Sequence, residues 1–386
     1  MIYAALLSIA IYSCNDDFQI TQIPSDSMAP NPVSNVTVKN TPGGAIVYYD
    51  LPKDEDISYV KAIYQRNGER AEAKSSRYTD SLIVEGFGDA NEKNIELFVV
   101  DRSNNESTAT SVKVNPLTPP VQTVAATFNM FADFGGVTSE WENEGKHQVG
   151  IFYQRKNPET GEFEDLETYY SDATEGKRSI RGMDSEEFDF AVYFKDRWDN
   201  RSETLEYTLT PFFETELEKG LFQRVVLPTE YEGVFGWVHE RMWDNQYSDG
   251  NGYSSPGGTG IWPHSVSFDL GLNAKLSRIR IQQRTGAYIF AEGNLRKFEV
   301  YGSDELVFDG SYDNWTLIGD FESIKPSGLP FGQLSNEDIT VANEGEDFII
   351  DLNAPNVRYV RIKVTETWAG GDNFQISELT IFGDNR

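Results

Sequence analysis

Three loops near the end of this 386-residue chain set aromatic rings beside groups that can bond hydroxyls. The first holds Trp262, two residues before His264. The second, Arg284 to Asn294 (RTGAYIFAEGN), holds Arg284, Tyr288, Phe290 and Asn294. The third, Glu366 to Asn373, holds Trp368 and Asp372. A ring offers one apolar face, and guanidinium, carboxylate and amide groups can bond two hydroxyls at once. Together they suit a ligand with a flat apolar face and a hydroxylated rim, which is the chemistry of a sugar ring. Glycines neighbour these rings, and a ring on a glycine-bearing loop is expected to be exposed, because a core ring normally sits on a strand.

The catalytic alternatives are weak. The three histidines, His147, His239 and His264, do not form an HExxH spacing, so a zinc protease has no support. No GxSxG occurs, and the single cysteine, Cys14, ends an apolar run where an anchor would sit. A glycosidase needs two carboxyls at a defined separation in a deep cleft. With 62 Asp and Glu residues, the sequence singles out no such pair. The expectation is therefore a protein that binds and is not an enzyme. The net charge of −29 repels phosphate backbones and anionic lipid, which excludes nucleic acid as a partner.

The loops need a frame. Val360, Ile362 and Val364 alternate with Arg361 and Lys363, the period of a half-buried strand with one solvated face. A last strand is expected over Ile376 to Phe382. Two strands cannot stand alone, so they must complete a sheet begun upstream. Candidate partners are Ser265–Leu270, Leu276–Gln282, Arg296–Tyr301 and Trp315–Ile318. Phe212–Gly220 reads as a short helical or extended lead-in.

Before residue 212 almost nothing has helical periodicity. Short alternating segments such as Tyr59–Tyr64 and Ile95–Val100 stand between glycine turns, the pattern of an antiparallel sandwich. The pattern occurs twice. Gly43-Gly44, Tyr64-Gln65-Arg66 and Asp101-Arg102 with Asn105 and Ser107 recur as Gly135-Gly136, Tyr153-Gln154-Arg155 and Asp196-Arg197 with Asn200 and Ser202, 89 to 95 residues later. Landmarks sharing nearly one offset indicate tandem copies of one fold, joined by the proline-rich Pro116–Pro120. Each Asp-Arg pair reads as a turn-stabilising ion pair with an Asx-turn. Tyr169, Tyr170 and Trp198 are read as core or inter-module packing, with ligand stacking as the alternative.

The apolar run at residues 2–13 is too short to span a bilayer and fits the h-region of a leader. It lacks a basic n-region, so the natural start is expected upstream. The run ends at Cys14, followed by Asn15-Asp16-Asp17 and a Pro/Ser/Asp-rich tether through residue 32.

Several of these segments resemble known families. Ile11 to Cys14 resembles the lipobox of bacterial lipoproteins, which implies a lipid on Cys14. Asn15-Asp16-Asp17 resembles the acidic export signal of Bacteroidetes surface lipoproteins, which implies the outer face of the outer membrane and membrane contact only through the anchor. The two copies resemble fibronectin type III or immunoglobulin-like modules. Ser267–Gly271, Phe298–Asp304, Asn314–Gly319, Val357–Ile362 and Ile376–Leu379 follow the order of the factor V/VIII type C, or discoidin, domain. That family is a jelly-roll sandwich. The expected organisation is all-β: leader 1–14, tether 15–32, modules 33–118 and 119–211, and a discoidin-type domain 212–386.

The discoidin resemblance implies carbohydrate binding on loops at one end. It also implies a structural calcium between the first long loop and the last strand, with Asp244 or Asp249 and Glu378 as its ligands. The whole pattern resembles glycan-capturing lipoproteins of polysaccharide-utilisation systems, which implies a polysaccharide or oligosaccharide ligand and an outer-membrane transporter as neighbour. A protein-adhesion module and a glycoside hydrolase accessory are the alternatives.

Overall fold

The computed structural model describes residues 26–386. Cys14, the expected leader and residues 15–25 of the expected tether lie outside the described residues. The protein is all-β, two fibronectin-like sandwiches followed by a jelly roll. Among the described residues no helix is long and apolar enough to cross a membrane.

The first sandwich contains β1 (Ser34–Thr41), β2 (Gly44–Asp50), β3 (Ile57–Arg66), β4 (Glu69–Ser76), β5 (Ser81–Glu85), β6 (Lys93–Asp101) and β7 (Thr110–Val114). Strands β1-β2-β5 form one antiparallel sheet and β4-β3-β6-β7 the other. Val47, Val60, Ala62 and Leu97 fill the space between them because alternate residues point inward. After a short helix α1 (Pro120–Ala125), the second sandwich repeats this with β8 (Asn129–Asp133), β9 (Gly136–Glu142), β10 (Val149–Lys156), β11 (Phe163–Ser171), β12 (Glu175–Arg181), β13 (Phe188–Lys195) and β14 (Leu205–Leu209). Its sheets, β12-β9-β8 and β11-β10-β13-β14, have the same order.

The repeated motif is a clasp without the expected ion pair, while the expected Asx-turn is present at Asp196, whose Oδ1 accepts the Trp198 N–H at 2.8 Å. In both copies Asn, not Arg, satisfies Asp. Asn105 donates its backbone N–H and Nδ2 to Asp101, each at 2.8 Å, and Asn200 does the same to Asp196 at 3.0 and 2.7 Å. Ser107 and Ser202 each accept the backbone N–H of a strand residue, Val99 and Phe194. Arg197 instead reaches Glu85 of the first sandwich at 2.7 Å. Residues 26–31, expected as tether, lie against the first sandwich. Asn105 donates to the Asp26 carbonyl, and Asn31 donates to Asp54.

The jelly roll contains β15 (Thr215–Glu216), β16 (Gln223–Val225), β17 (Gly233–Val234), β18 (Trp237–Val238), β19 (Tyr253–Ser254), β20 (His264–Gln282), β21 (Leu295–Ser303), β22 (Thr316–Glu322), α2 (Asn336–Glu344), β23 (Glu346–Ile349), β24 (Val357–Thr367), β25 (Gln375–Ile376) and β26 (Glu378–Asp384). The two expected strands Ser265–Leu270 and Leu276–Gln282 are halves of β20. Residues 264–269 pair with β24, and residues 275–282 pair with β26. The strand therefore passes from one layer to the other, bending at Gly271. That glycine has φ +77°, and a Cβ there would lie 2.6 Å from the Leu221 carbonyl oxygen. The expected lead-in is extended where it matters, since Thr215 and Glu216 pair with the end of β26.

One further correction falls on β24. Arg361, expected on a solvated face, is 1 % exposed. Its Nε lies 2.9 Å from Glu230 Oε1, and its guanidinium stacks 3.9 Å from the Tyr312 ring. The segment 225–231 and the Tyr312–Trp315 turn cover that face.

Candidate functional site

The loops at one end of the jelly roll are held by backbone bonds between them. Trp368 N–H donates to the Asn294 carbonyl, Gln375 N–H to the Gly293 carbonyl and Ser255 N–H to the Phe374 carbonyl. The three expected aromatic loops are thus neighbours, but their side chains divide into two groups.

Phe290 and Asn294 are interior, which corrects their expected role as ligand contacts. Phe290 is 1 % exposed, packs edge-on against Trp368 with centroids 5.0 Å apart, and touches the cluster that includes Ala342 of α2. Asn294 is fully buried. Its Oδ1 accepts the Arg284 N–H at 2.8 Å, and its Nδ2 donates to the Tyr288 and Arg284 carbonyls. It pins the loop without facing a ligand. Trp368 is half-buried, with the Arg296 guanidinium over its ring.

Arg284 and Tyr288 form the outer group. The Arg284 guanidinium lies 3.5 Å from the Tyr288 ring centroid and 5.2 Å from that of Trp237, and its Nε donates to the Asp249 carbonyl at 2.6 Å. Trp237 was not singled out in the sequence. It closes the β17–β18 hairpin, whose tip carries Phe235, 96 % exposed. The signal was present, since Phe235 and Trp237 flank Gly236 on a turn. Trp262 is half-buried. Its Nε1 donates to the Thr365 carbonyl at 3.1 Å, and its ring meets His264. Asp372 is exposed, and its Oδ2 accepts the Gly258 N–H at 2.8 Å. Burial holds His264 below the usual histidine range, and its nitrogens lie by Ser255 and Thr259.

Three family models match the chain, each described as a domain of unknown function: DUF4959 over residues 30–116, DUF5126 over 117–220 and DUF5000 over 243–383. No curated protein matches. Among solved structures, the SusE-like protein BT2857 is 30% identical over 69% of this chain and 100% of its own, with a TM-score of 0.46. The chain belongs to the SusE-like family. That assignment rests on sequence identity over the whole relative, not on the superposition. The family 32 carbohydrate-binding module of NanJ from C. perfringens, in complex with galactose, is 17% identical, covering 44% of this chain and 98% of its own at a TM-score of 0.31. A two-domain fibronectin type III segment of chicken tenascin is 14% identical, covering 47% and 99% at a TM-score of 0.24. Overlaps this slight carry no argument.

In this SusE-like chain the residues expected to hold calcium do not form a cage. Asp244, on the first long loop, accepts the Gln246 N–H at 2.9 Å and Asn251 Nδ2 at 3.0 Å. Asp249 lies beside Gly286, at the Arg284 loop. Glu378 is 2 % exposed and accepts Lys219 Nζ at 2.5 Å. Burial raises its carboxyl above the usual carboxylate range, and the Lys219 ammonium opposes that shift. Calcium takes six to eight oxygen ligands. Among the described residues the one group of three carboxylates close enough to share an ion is Asp26, Asp56 and Asp101, in the first sandwich.

Proposed function

We propose that this protein is a non-catalytic glycan-binding protein whose jelly roll captures carbohydrate at the loops around Arg284 and Tyr288. The observation that carries this reading is the guanidinium held between the Tyr288 and Trp237 rings. A stacked guanidinium is pre-oriented, so little conformational entropy is lost when it bonds two adjacent hydroxyls. Phe235, two residues from Trp237 and exposed, and the Asp249 carboxyl, beside Gly286, extend the platform. Trp262 and Asp372 line the neighbouring loop. Membership of the SusE-like family and the discoidin resemblance support the same ligand class. On this reading the chain is lipid-anchored through Cys14 at the cell surface, beside an outer-membrane transporter that receives the glycan. Weak capture per site is compensated by many copies on one surface.

The test is a glycan array followed by titration of the best ligand. Tyr288→Ala and Arg284→Ala are each expected to weaken binding by about tenfold or more, the equivalent of roughly 1.4 kcal/mol. Equal binding by both variants removes the site. Release of reducing sugar by the unaltered protein would favour the hydrolase alternative instead.

A further inference from the structure

The place where the discoidin resemblance implies a calcium is bridged by a lysine. Lys219 follows β15 on a short 3-10 turn, Lys219–Leu221, and its side chain is 9% exposed. Its Nζ donates to Glu378 Oε1 at 2.5 Å and to Asn245 Oδ1 at 2.9 Å. Glu378 opens the last strand, and Asn245 lies on the first long loop. The Asn245 N–H also donates to Glu378 Oε1, at 3.2 Å. Loop and strand are therefore joined through one positive charge.

The backbone delivers that charge firmly. Thr215 and Glu216 pair with Gly383 and Phe382, and Leu217 N–H donates to the Ile381 carbonyl. The paired backbone sets the point from which Lys219 reaches Glu378. Asp244, the other implied ligand, is occupied by two amide donors. One buried oxygen, Glu378 Oε2, has no hydrogen-bond partner among the described residues. A divalent ion placed there would face an ammonium already bonded to the same carboxylate.

We propose that Lys219 is a built-in replacement for the calcium, so that the joint between the first long loop and the last strand of this jelly roll is independent of metal. The inference stands apart from the glycan reading, since it concerns the joint and not the ligand.

Thermal unfolding of the full chain tests it, with calcium chloride as the only probe. The unaltered protein is expected to melt at the same temperature in millimolar calcium chloride and in EDTA. Lys219→Met leaves Glu378 buried without a counter-charge, and is expected to lower the jelly-roll midpoint by several degrees and to regain part of that loss when calcium is added. A double variant, Lys219→Met with Glu378→Gln, removes both charges. It is expected to melt above the single variant and to ignore calcium, and it keeps the test open if the single variant fails to fold. A midpoint of the unaltered protein that rises with calcium and falls with EDTA overturns the proposal. So does a Lys219→Met protein that melts like the unaltered one, or a double variant no more stable than the single.

Discussion

His239 packs against Tyr253 with ring centroids 4.9 Å apart, and among the described residues neither of its ring nitrogens has a well-formed hydrogen bond. Burial lowers its pKa to about 4 from 6.5. Above pH 6.5 the group is neutral in both folded and unfolded chains, and its contribution to stability is complete. As pH falls, the unfolded chain takes up a proton that the fold refuses, so stability falls until the folded pKa is reached. The loss is bounded at roughly 3 kcal/mol, since a tenfold difference in proton affinity is worth about 1.4 kcal/mol. Urea unfolding of the jelly roll at neutral pH and near pH 4 should show a smaller acid loss in His239→Asn than in the unaltered protein. The Glu230–Arg361 pair makes a different prediction. Burial raises the Glu230 carboxyl, and the Arg361 guanidinium opposes this. Arg361→Ala leaves that carboxyl buried alone and should cost roughly 3–5 kcal/mol by calorimetry, while Arg361→Met with Glu230→Leu should recover most of the loss.

The loop from 284 to 294 depends on Asn294 in the way a turn depends on its glycine. Asn294→Ala removes the partner of the Arg284 N–H and Arg284 carbonyl, while the Tyr288 carbonyl keeps the Ala291 N–H. Leaving such buried groups unpaired costs about 1–3 kcal/mol. Calorimetry should register that cost, and on the proposed glycan-binding reading titration should weaken too because Tyr288 is no longer positioned. The sequence showed that this segment is a loop with rings, but not which rings face out. Glycine neighbours signal a loop; what covers a ring is decided by another element, here α2. That helix is itself marked by Ser335 and Asp338, whose reciprocal bonds cap its start. Alternation revealed the middle of β24, and short apolar segments both halves of β20, because period two survives in any sheet. It could not reveal that the halves join at Gly271, or that the polar face of β24 has its own cover. Arg361 alternates as a solvated residue would, and its burial is tolerable because Glu230, the Thr229 hydroxyl and the Ser311 carbonyl, all distant in sequence, receive its guanidinium.

The three modules are tied at both junctions by equivalent devices. Leu117 N–H donates to the Thr41 carbonyl and Gly43 N–H to Leu117; Phe212 N–H donates to Asp133 and Gly135 N–H to Phe212. The tandem glycine turns that marked the repeat thus receive the chain leaving each module. At the first junction Trp198 lies against Gly86, where a Cβ would come within 2.9 Å of the ring, and Asn67 Nδ2 donates to the Trp198 carbonyl at 2.9 Å. This is packing between modules, not a stacking surface. At the second, Glu214 accepts from Ser277 at 2.5 Å and from Arg278 at 3.1 Å, and lies 3.6 Å from Arg181 of the second sandwich. A carboxylate shared by two modules holds their orientation only while both guanidinium partners remain bonded to it. Glu214→Ala keeps the backbone bonds of Phe212 but removes that shared acceptor. Arg278 retains Asp347 at 2.9 Å, so the jelly roll itself should keep its fold. The expected result is an unchanged far-UV spectrum with a broader distance distribution in small-angle scattering, as the jelly roll swings on its linker. Scattering identical to that of the unaltered protein would mean that the backbone bridge alone sets the angle, and that the charges at this junction add nothing to it.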